Sequence, residues 1–325
     1  MKVLAADGVS PRGIEILREA GFTVEVKDKL TAEELLATIG AYDALIVRSA
    51  SKVTKEVLAA GKNLKIIGRA GVGVDNIDVS AATAAGIIVI NSPGGNTTAA
   101  TEHTIGMMLA MARHIPVANE TTQKGEWNRK QYVGVELRGK TLGVVGLGRI
   151  GAGVAKRAQA FEMNVIGYDP YVTEDRARVM GVELVTLEQI VERSDFITVH
   201  MPLTAETRNM FHKDNLAKMK KGVRLVNCAR GGIINEEDLA AAVKAGIVAG
   251  AAIDVFTTEP IPPDHPLLGL PAESIREVAV VDQEAVRLVA RLAVSAQRGR
   301  DRLALLTRIG EDEAFASARV LEDVG

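Results

Sequence analysis

Short β-branched runs alternate with amphipathic stretches from the first residues of the chain. Val3–Ala6 reads as a strand, and Pro11–Ala20 as a helix with Pro11 at its start and Gly21 just past its end. Phe22–Val26 reads as a second strand. Thr31–Ile39 follows as a helix, because Thr31 and Glu34 have the spacing of a capping box. The pattern continues with strand Ala44–Val47, helix Thr54–Ala60 and strands Leu64–Ile67 and Ile87–Ile90. Strands that alternate with helices imply right-handed crossovers and a parallel sheet.

A longer apolar helix is expected over Glu102–Arg113, after which the pattern restarts at Thr141. Strands are predicted at Thr141–Val145, Asn164–Tyr168, Phe196–His200, Arg224–Asn227 and Gly250–Val255, with helical stretches between them. A chain of 325 residues is long enough for two cores. The expected architecture is therefore α/β, with two doubly wound parallel-sheet domains joined through the apolar helix.

Charge narrows the partners. The 39 basic and 41 acidic side chains leave a net charge of −2, which gives no electrostatic basis for nucleic-acid or membrane binding. One cysteine, Cys228, excludes a disulfide framework and a Cys-rich zinc site. The N-terminus reaches Asp7 after four apolar residues, too few for a signal-peptide core, so a cytoplasmic protein is expected. Composition shifts near Pro271: residues 271–325 hold no lysine and 8 arginines, with Phe315 as their only aromatic residue, which suggests a segment of different origin.

The motif with the clearest chemistry is Gly146-Leu147-Gly148-Arg149-Ile150-Gly151, placed between strand Gly143–Val145 and helix Ile150–Phe161. Gly146 permits the tight turn, Gly148 lets the backbone approach a pyrophosphate, and Gly151 lets helix and strand pack closely. The helix N-terminus adds free N–H groups and partial positive charge. Asp169 ends the next strand 18 residues after Gly151, where an acid holds the ribose hydroxyls. Pro170 and Tyr171 follow it in place of an arginine for a 2′-phosphate, which favours NAD over NADP.

Asn227-Cys228-Ala229-Arg230-Gly231-Gly232 follows the strand that ends at Asn227. Ligands of open parallel sheets bind beyond the carboxyl ends of strands, so Arg230 is placed to grip a carboxylate and polarise the adjacent carbonyl. Cys228 has no positioned base and reads as wall. Asp254 ends the next strand, and Glu259, five residues later, is able to orient a histidine base. His103, His114, His200, His212 and His265 are the available imidazoles, each more readily read as structural or solvent-facing than as catalytic.

Taken together, these residues resemble the D-2-hydroxyacid dehydrogenase family. The matching segments are Ile46–Val53, Gly68–Asp78 (GRAGVGVDNID), Asn91–Thr104 (NSPGGNTTAATEHT), Gly125–Lys130 (GEWNRK), GLGRIG at Gly146, Asn227–Glu236 (NCARGGIINE) and Ala251–Pro260 (AAIDVFTTEP). They run in family order over about residues 1–270. The resemblance implies a flavodoxin-like substrate domain over 1–97 plus about 284–325 and a Rossmann NAD domain over 98–283. It implies that Arg149 and Ile150 meet the pyrophosphate and that Cys228, Ala229 and Asp254 line the nicotinamide end. Arg230 orients the 2-oxo acid, and Glu259 belongs to a Glu–His pair. Arg48 and Arg69 are the implied substrate cations, with Arg129 and Lys130 as weaker phosphate candidates. The reaction implied is NAD-dependent oxidation of 3-phospho-D-glycerate to 3-phosphooxypyruvate, the first step of serine synthesis, by a homodimer or larger homo-oligomer that pairs through the Glu102–Arg113 region. With the chain ending at residue 325, no serine feedback is expected.

The likeness stops at Pro271. Where the family continues with a segment such as NVIVTPHLGAS, this chain reads Ala272-Glu273-Ser274-Ile275-Arg276-Glu277-Val278, and no histidine follows His265. Glu259 thus lacks its partner, and impaired turnover is expected. Val278–Val281 is read as a last strand that leaves Asp282 or Gln283 near the missing base. Ala285, Leu288, Val289, Leu292 and Ala296 form a helical stripe in the tail. The alternative readings are a glyoxylate or hydroxypyruvate reductase and a non-catalytic, redox-sensing NAD-binding protein.

Overall fold

A computed structural model describes residues 1–127, 129–268 and 270. The chain divides into two compact units, one containing Met1–Asn96 and the other beginning at Thr97. The tail readings, including the strand at 278–281, Asp282, Gln283 and the stripe from Ala285 to Ala296, lie outside the described residues.

The first unit carries β1 (Lys2–Ala5), α1 (Pro11–Glu19), β2 (Thr23–Val26), α2 (Ala32–Thr38), β3 (Ala44–Val47), α3 (Lys55–Ala60), β4 (Ile66–Arg69), α4 (Val79–Ala84) and β5 (Ile88–Asn91). Its strands pair in parallel in the order β2-β1-β3-β4-β5, the flavodoxin-like arrangement. Alternate residues of the same strands serve opposite faces. Leu4, Leu45 and Ile67 enter one buried cluster, while Val3, Ile46 and Ile66 enter the other. A parallel sheet covered on both faces needs this double burial. The capping box at Thr31 forms as expected: Thr31 Oγ1 accepts from the Glu34 N–H and Glu34 Oε2 from the Thr31 N–H.

The second unit carries α5 (Thr97–Ala112), α6 (Ile115–Gln123), β6 (Thr141–Val145), α7 (Arg149–Ala160), β7 (Asn164–Tyr168), α8 (Glu174–Val179), β8 (Glu183–Leu184), α9 (Leu187–Arg193), β9 (Phe196–Val199), α10 (Lys213–Leu216), β10 (Val223–Asn227), α11 (Glu236–Lys244) and β11 (Val248–Ile253). The sheet order β11-β10-β9-β6-β7-β8, all parallel, is the dinucleotide-binding order. Val145, Ile197, Leu225 and Ile253 pack on one face; Val144, Phe196, Val226 and Ala252 pack on the other, with Met107, Met108 and Met111 of α5. No helix among the described residues is long and apolar enough to cross a membrane.

Three expectations are corrected. The apolar helix begins at Thr97, five residues before Glu102, and ends at Ala112. In its polar first turns the Thr101 and Thr104 hydroxyls donate to the carbonyls of Thr97 and Ala100 at 2.7 and 2.8 Å. The last strand runs Val248–Ile253, two residues earlier than the pattern suggested, so Asp254 and Val255 lie beyond it. Finally, α4, α6 and the two-residue edge strand β8 carried too few periodic apolar positions to stand out; α6 buries no side chain.

Strand order reverses between β1 and β3, and Asp7 binds the two loops that leave this point. Its carboxylate accepts the N–H of Arg48 at 3.0 Å, the N–H of Ser51 at 2.8 Å and the Ser51 hydroxyl at 2.6 Å. Replacing Asp7 by alanine strands these half-buried donors. Asp7→Ala should cost about 1–3 kcal/mol, read as a lower urea midpoint of the first unit.

Candidate active site

In the second unit strand order reverses between β6 and β9, and the glycine-rich turn leaves β6 at this point. Gly146 has φ +96°, a region that disfavours side chains, and a Cβ there would lie 2.7 Å from the His200 carbonyl oxygen at the end of β9. At Gly151 a Cβ would run into the carbonyl of Gly146 itself. Gly148 is the N-cap of α7 and meets nothing within 4 Å where a Cβ would stand, and no side chain caps the helix. The turn therefore presents open backbone and an uncapped helix N-terminus. Arg149, exposed, and Ile150 occupy the first positions of α7.

Asp169, just past β7, anchors this turn. Its carboxylate accepts the N–H of Leu147 at 2.8 Å and the N–H of Tyr171 at 2.9 Å. A carboxylate offers about four lone-pair directions, so both oxygens keep capacity for ribose hydroxyls. The close backbone approach, the uncapped helix and the acid at the end of β7 fit a dinucleotide. A cavity of about 490 Å³ opens beside the end of β7, lined in part by Tyr168, Leu187, Arg208, Met210 and Lys218, and no sequence signal marked it.

The second cluster surrounds the ends of β10 and β11. Asn227 organises it: its side chain accepts the Ala229 N–H at 3.0 Å and donates to the Arg230 carbonyl at 2.9 Å, while its own carbonyl accepts the Asp254 N–H at 3.0 Å. Arg230 Nη1 donates to the Ala229 carbonyl at 2.7 Å. A Cβ at Gly231 would collide with the Phe256 carbonyl, so the loop after β11 lies directly against this turn. Burial, with the charge of Asp254 adding to it, pushes the Cys228 thiol up to about 12. It is therefore protonated at neutral pH and unsuited to nucleophilic attack.

Glu259 is exposed and accepts the N–H of Phe256 at 3.0 Å; no hydrogen bond or ion pair joins it to a histidine among the described residues. His265 is instead 7% exposed and paired with Glu236 at 2.9 Å. Glu236 also accepts from the Thr257 N–H and hydroxyl, at 2.7 and 3.0 Å, so the pair pins the loop after β11 to the start of α11. His200 shares a hydrogen bond with Thr198 at 3.0 Å, and burial pushes its imidazole down to about 4. His212 begins α10 at the surface, and His114 joins α5 to α6 in the left-handed region at φ 55°. His103, expected to open the apolar helix, lies in its second turn with Nε2 3.3 Å from Asp254 Oδ1. That pairing joins residues 151 positions apart and had no local signal.

On the first unit, Arg48 leaves β3 directly after Val47, the register partner of Arg69 at the end of β4. The Arg69 guanidinium lies over Gly71, where a side chain would collide with it. Arg129 stands in an exposed turn of the second unit with Lys130.

A family profile described as the D-isomer specific 2-hydroxyacid dehydrogenase, NAD binding domain, matches residues 105–276. The chain belongs to the D-isomer-specific 2-hydroxyacid dehydrogenases. NAD is the cofactor of the domain that matches. D-3-phosphoglycerate dehydrogenase of Archaeoglobus fulgidus is 54% identical over 270 residues, covering 83% of this chain and 51% of that protein. The Bacillus subtilis protein of the same name is 53% identical over 271 residues, with the same coverage. The chain thus spans about half the length of the curated relatives it matches. Among solved structures, the TT0316 protein of Thermus thermophilus superposes with TM-score 0.83 at 33% identity, covering 93% of this chain and 98% of that one. A glyoxylate reductase from Paecilomyes thermophila gives 0.80 at 31%, covering 92% and 94%.

A methyl group at residue 151 must displace the glycine turn of this 2-hydroxyacid dehydrogenase. Gly151→Ala should weaken NADH binding at least tenfold, about 1.4 kcal/mol, in a fluorescence titration. His200 supplies a pH dependence. Its folded pKa lies below the ordinary 6.5, so between pH 6.5 and about 4 the unfolded chain takes up a proton that the folded chain refuses. Stability therefore falls as pH drops through that window, and His200→Gln should flatten the fall in thermal melts.

Proposed function

We propose that this chain carries out NAD-dependent oxidation of 3-phospho-D-glycerate to 3-phosphooxypyruvate, with low turnover. The observation that carries the reading is the 54% identity to a D-3-phosphoglycerate dehydrogenase over a stretch that includes Arg230, Asp254 and Glu259. Bound NAD supplies the hydride acceptor. In this reading the N–H groups at the start of α7, with Arg149 and Ile150, hold the pyrophosphate, and Asp169 holds the ribose while fixing the turn. Ala229, Cys228 and Asp254 form the wall of the nicotinamide end.

Arg230 grips the substrate carboxylate and stabilises negative charge on the C2 oxygen. Arg48 and Arg69, with Arg129, supply the cations for carboxylate and phosphate. As hydride leaves C2, the hydroxyl proton must pass to a base. A positioned base is worth on the order of 10²–10⁴-fold in rate, and this chain has no histidine after His265 to serve with Glu259. Low turnover follows from that gap. The same gap favours a second reading, an NAD-binding protein without turnover.

NADH binding by fluorescence, followed by 3-phosphoglycerate-dependent NADH production on the same sample, tests the proposal. Binding should be intact and turnover slow; placing the family segment VTPHLGAS after Pro271 should raise the rate by on the order of 10²-fold or more. Ordinary enzyme rates in the unaltered chain would overturn the account of the missing base. Preference for glyoxylate or hydroxypyruvate over the phosphorylated acid would overturn the substrate assignment. In the repaired chain, Arg230→Lys should lower kcat/KM by on the order of 10²-fold, because lysine cannot reproduce a two-pronged grip.

A further inference from the structure

We propose that His103, Cys228 and Asp254 form a binding site for a borderline divalent cation, best matched by Zn²⁺. The three residues come from three elements that packing brings together: His103 from the second turn of α5, Cys228 from the turn after β10, and Asp254 from the residue after β11. The backbone holds two of them in register. Asn227 pairs with Ile253 across β10 and β11, and the Asp254 N–H donates to the Asn227 carbonyl at 3.0 Å.

One ring nitrogen of His103, the Cys228 Sγ and a carboxylate oxygen of Asp254 all lie within 4.8 Å of one another, and no other such trio of histidine, cysteine or acidic ligands occurs among the described residues. His103 Nε2 stands 3.3 Å from Asp254 Oδ1. In a tetrahedral zinc site, Zn–N and Zn–O bonds of about 2.0–2.2 Å put neighbouring nitrogen and oxygen ligands about 3.3–3.5 Å apart. The imidazole and carboxylate thus already have the separation of two ligands of one ion, and the thiol completes the edge by moving about an ångström. His103 Nε2 is buried and makes no hydrogen bond in this structure, so its lone pair is not committed to a donor. Side-chain exposures of 21% for His103 and 15% for Asp254 leave an approach from solvent.

The chemistry of the set suits the ion. Imidazole, thiolate and carboxylate are the three ligand types that zinc accepts, and three protein ligands leave a fourth position for water. As the S–Zn bond forms, the Cys228 S–H bond breaks and its proton passes to solvent. Thiolate and carboxylate then balance the double charge of the ion.

The function proposed above assigns Cys228 and Asp254 to the nicotinamide end of the NAD site. On that reading ion and cofactor exclude each other, and Zn²⁺ acts as an inhibitor competitive with NADH. Ion binding itself does not depend on that reading.

The test is a Co²⁺ titration of the full chain without NAD. It should give a near-ultraviolet thiolate-to-cobalt charge-transfer band, with visible bands of tetrahedral intensity, saturating at one ion per chain and erased by Zn²⁺. Cys228→Ser, checked for an unchanged melt, should lose the charge-transfer band. His103→Gln should weaken Co²⁺ binding at least tenfold while keeping NADH binding measurable. Absence of a thiolate band with excess Co²⁺ overturns the site, as does a band that survives Cys228→Ser. A band that forms at one ion per chain but persists in saturating NADH supports the site and removes Cys228 and Asp254 from the nicotinamide end.

Discussion

Parallel strand pairing is the constraint on which the rest of this molecule depends. Every strand pair in both sheets is parallel. Each return must therefore cross a face of the sheet, usually as a helix, and all strands of a sheet end at the same edge. Arg48 and Arg69 leave one such edge; the glycine turn, Asp169, Arg230 and Asp254 leave the other. The chemistry collects there because loops beyond strand ends are where an open sheet can present backbone and charge to a ligand.

Hydrogen bonds from single polar side chains convert these edges into defined surfaces. Asp7 ties the loops after β1 and β3, Asp169 ties the glycine turn to the end of β7, and Asn227 ties the end of β10 to Ala229 and Arg230. Each side chain accepts backbone N–H groups that would otherwise be orphaned at a strand end. The glycines act in the complementary way, by leaving out atoms: Gly151 and Gly231 admit a neighbouring carbonyl where a methyl group cannot fit. Site geometry in the second unit thus follows from a few buried polar contacts and two omitted side chains.

Glu259 shows how a family framework and its chemistry separate. The loop that carries it is well fastened: Glu259 accepts from Phe256, Gly231 receives the Phe256 carbonyl, and the His265–Glu236 pair holds the loop to α11. Those contacts preserve position without supplying a proton carrier. Proton transfer needs one titratable group at one place, and in the function proposed above that is the group this chain lacks.

Periodicity determined most strands, the capping box at Thr31, the α/β class and the turn at Gly146–Gly151, because each depends on residues close together in the chain. Asp169 was legible for the same reason, since it follows directly on a strand whose end the pattern located, whereas the strand before Asp254 ends two residues earlier than the pattern suggested. Strand β8, helix α6 and the first turns of α5 were not legible, since two-residue pairing and threonine hydroxyls satisfying helical carbonyls leave no apolar period. Only the tertiary structure brought His103 to Asp254 and Cys228 and joined His265 to Glu236. Those encounters depend on how α5 and α11 pack against the sheet. A side chain's partner across a packed interface is set by three-dimensional register, which spacing along the chain does not encode.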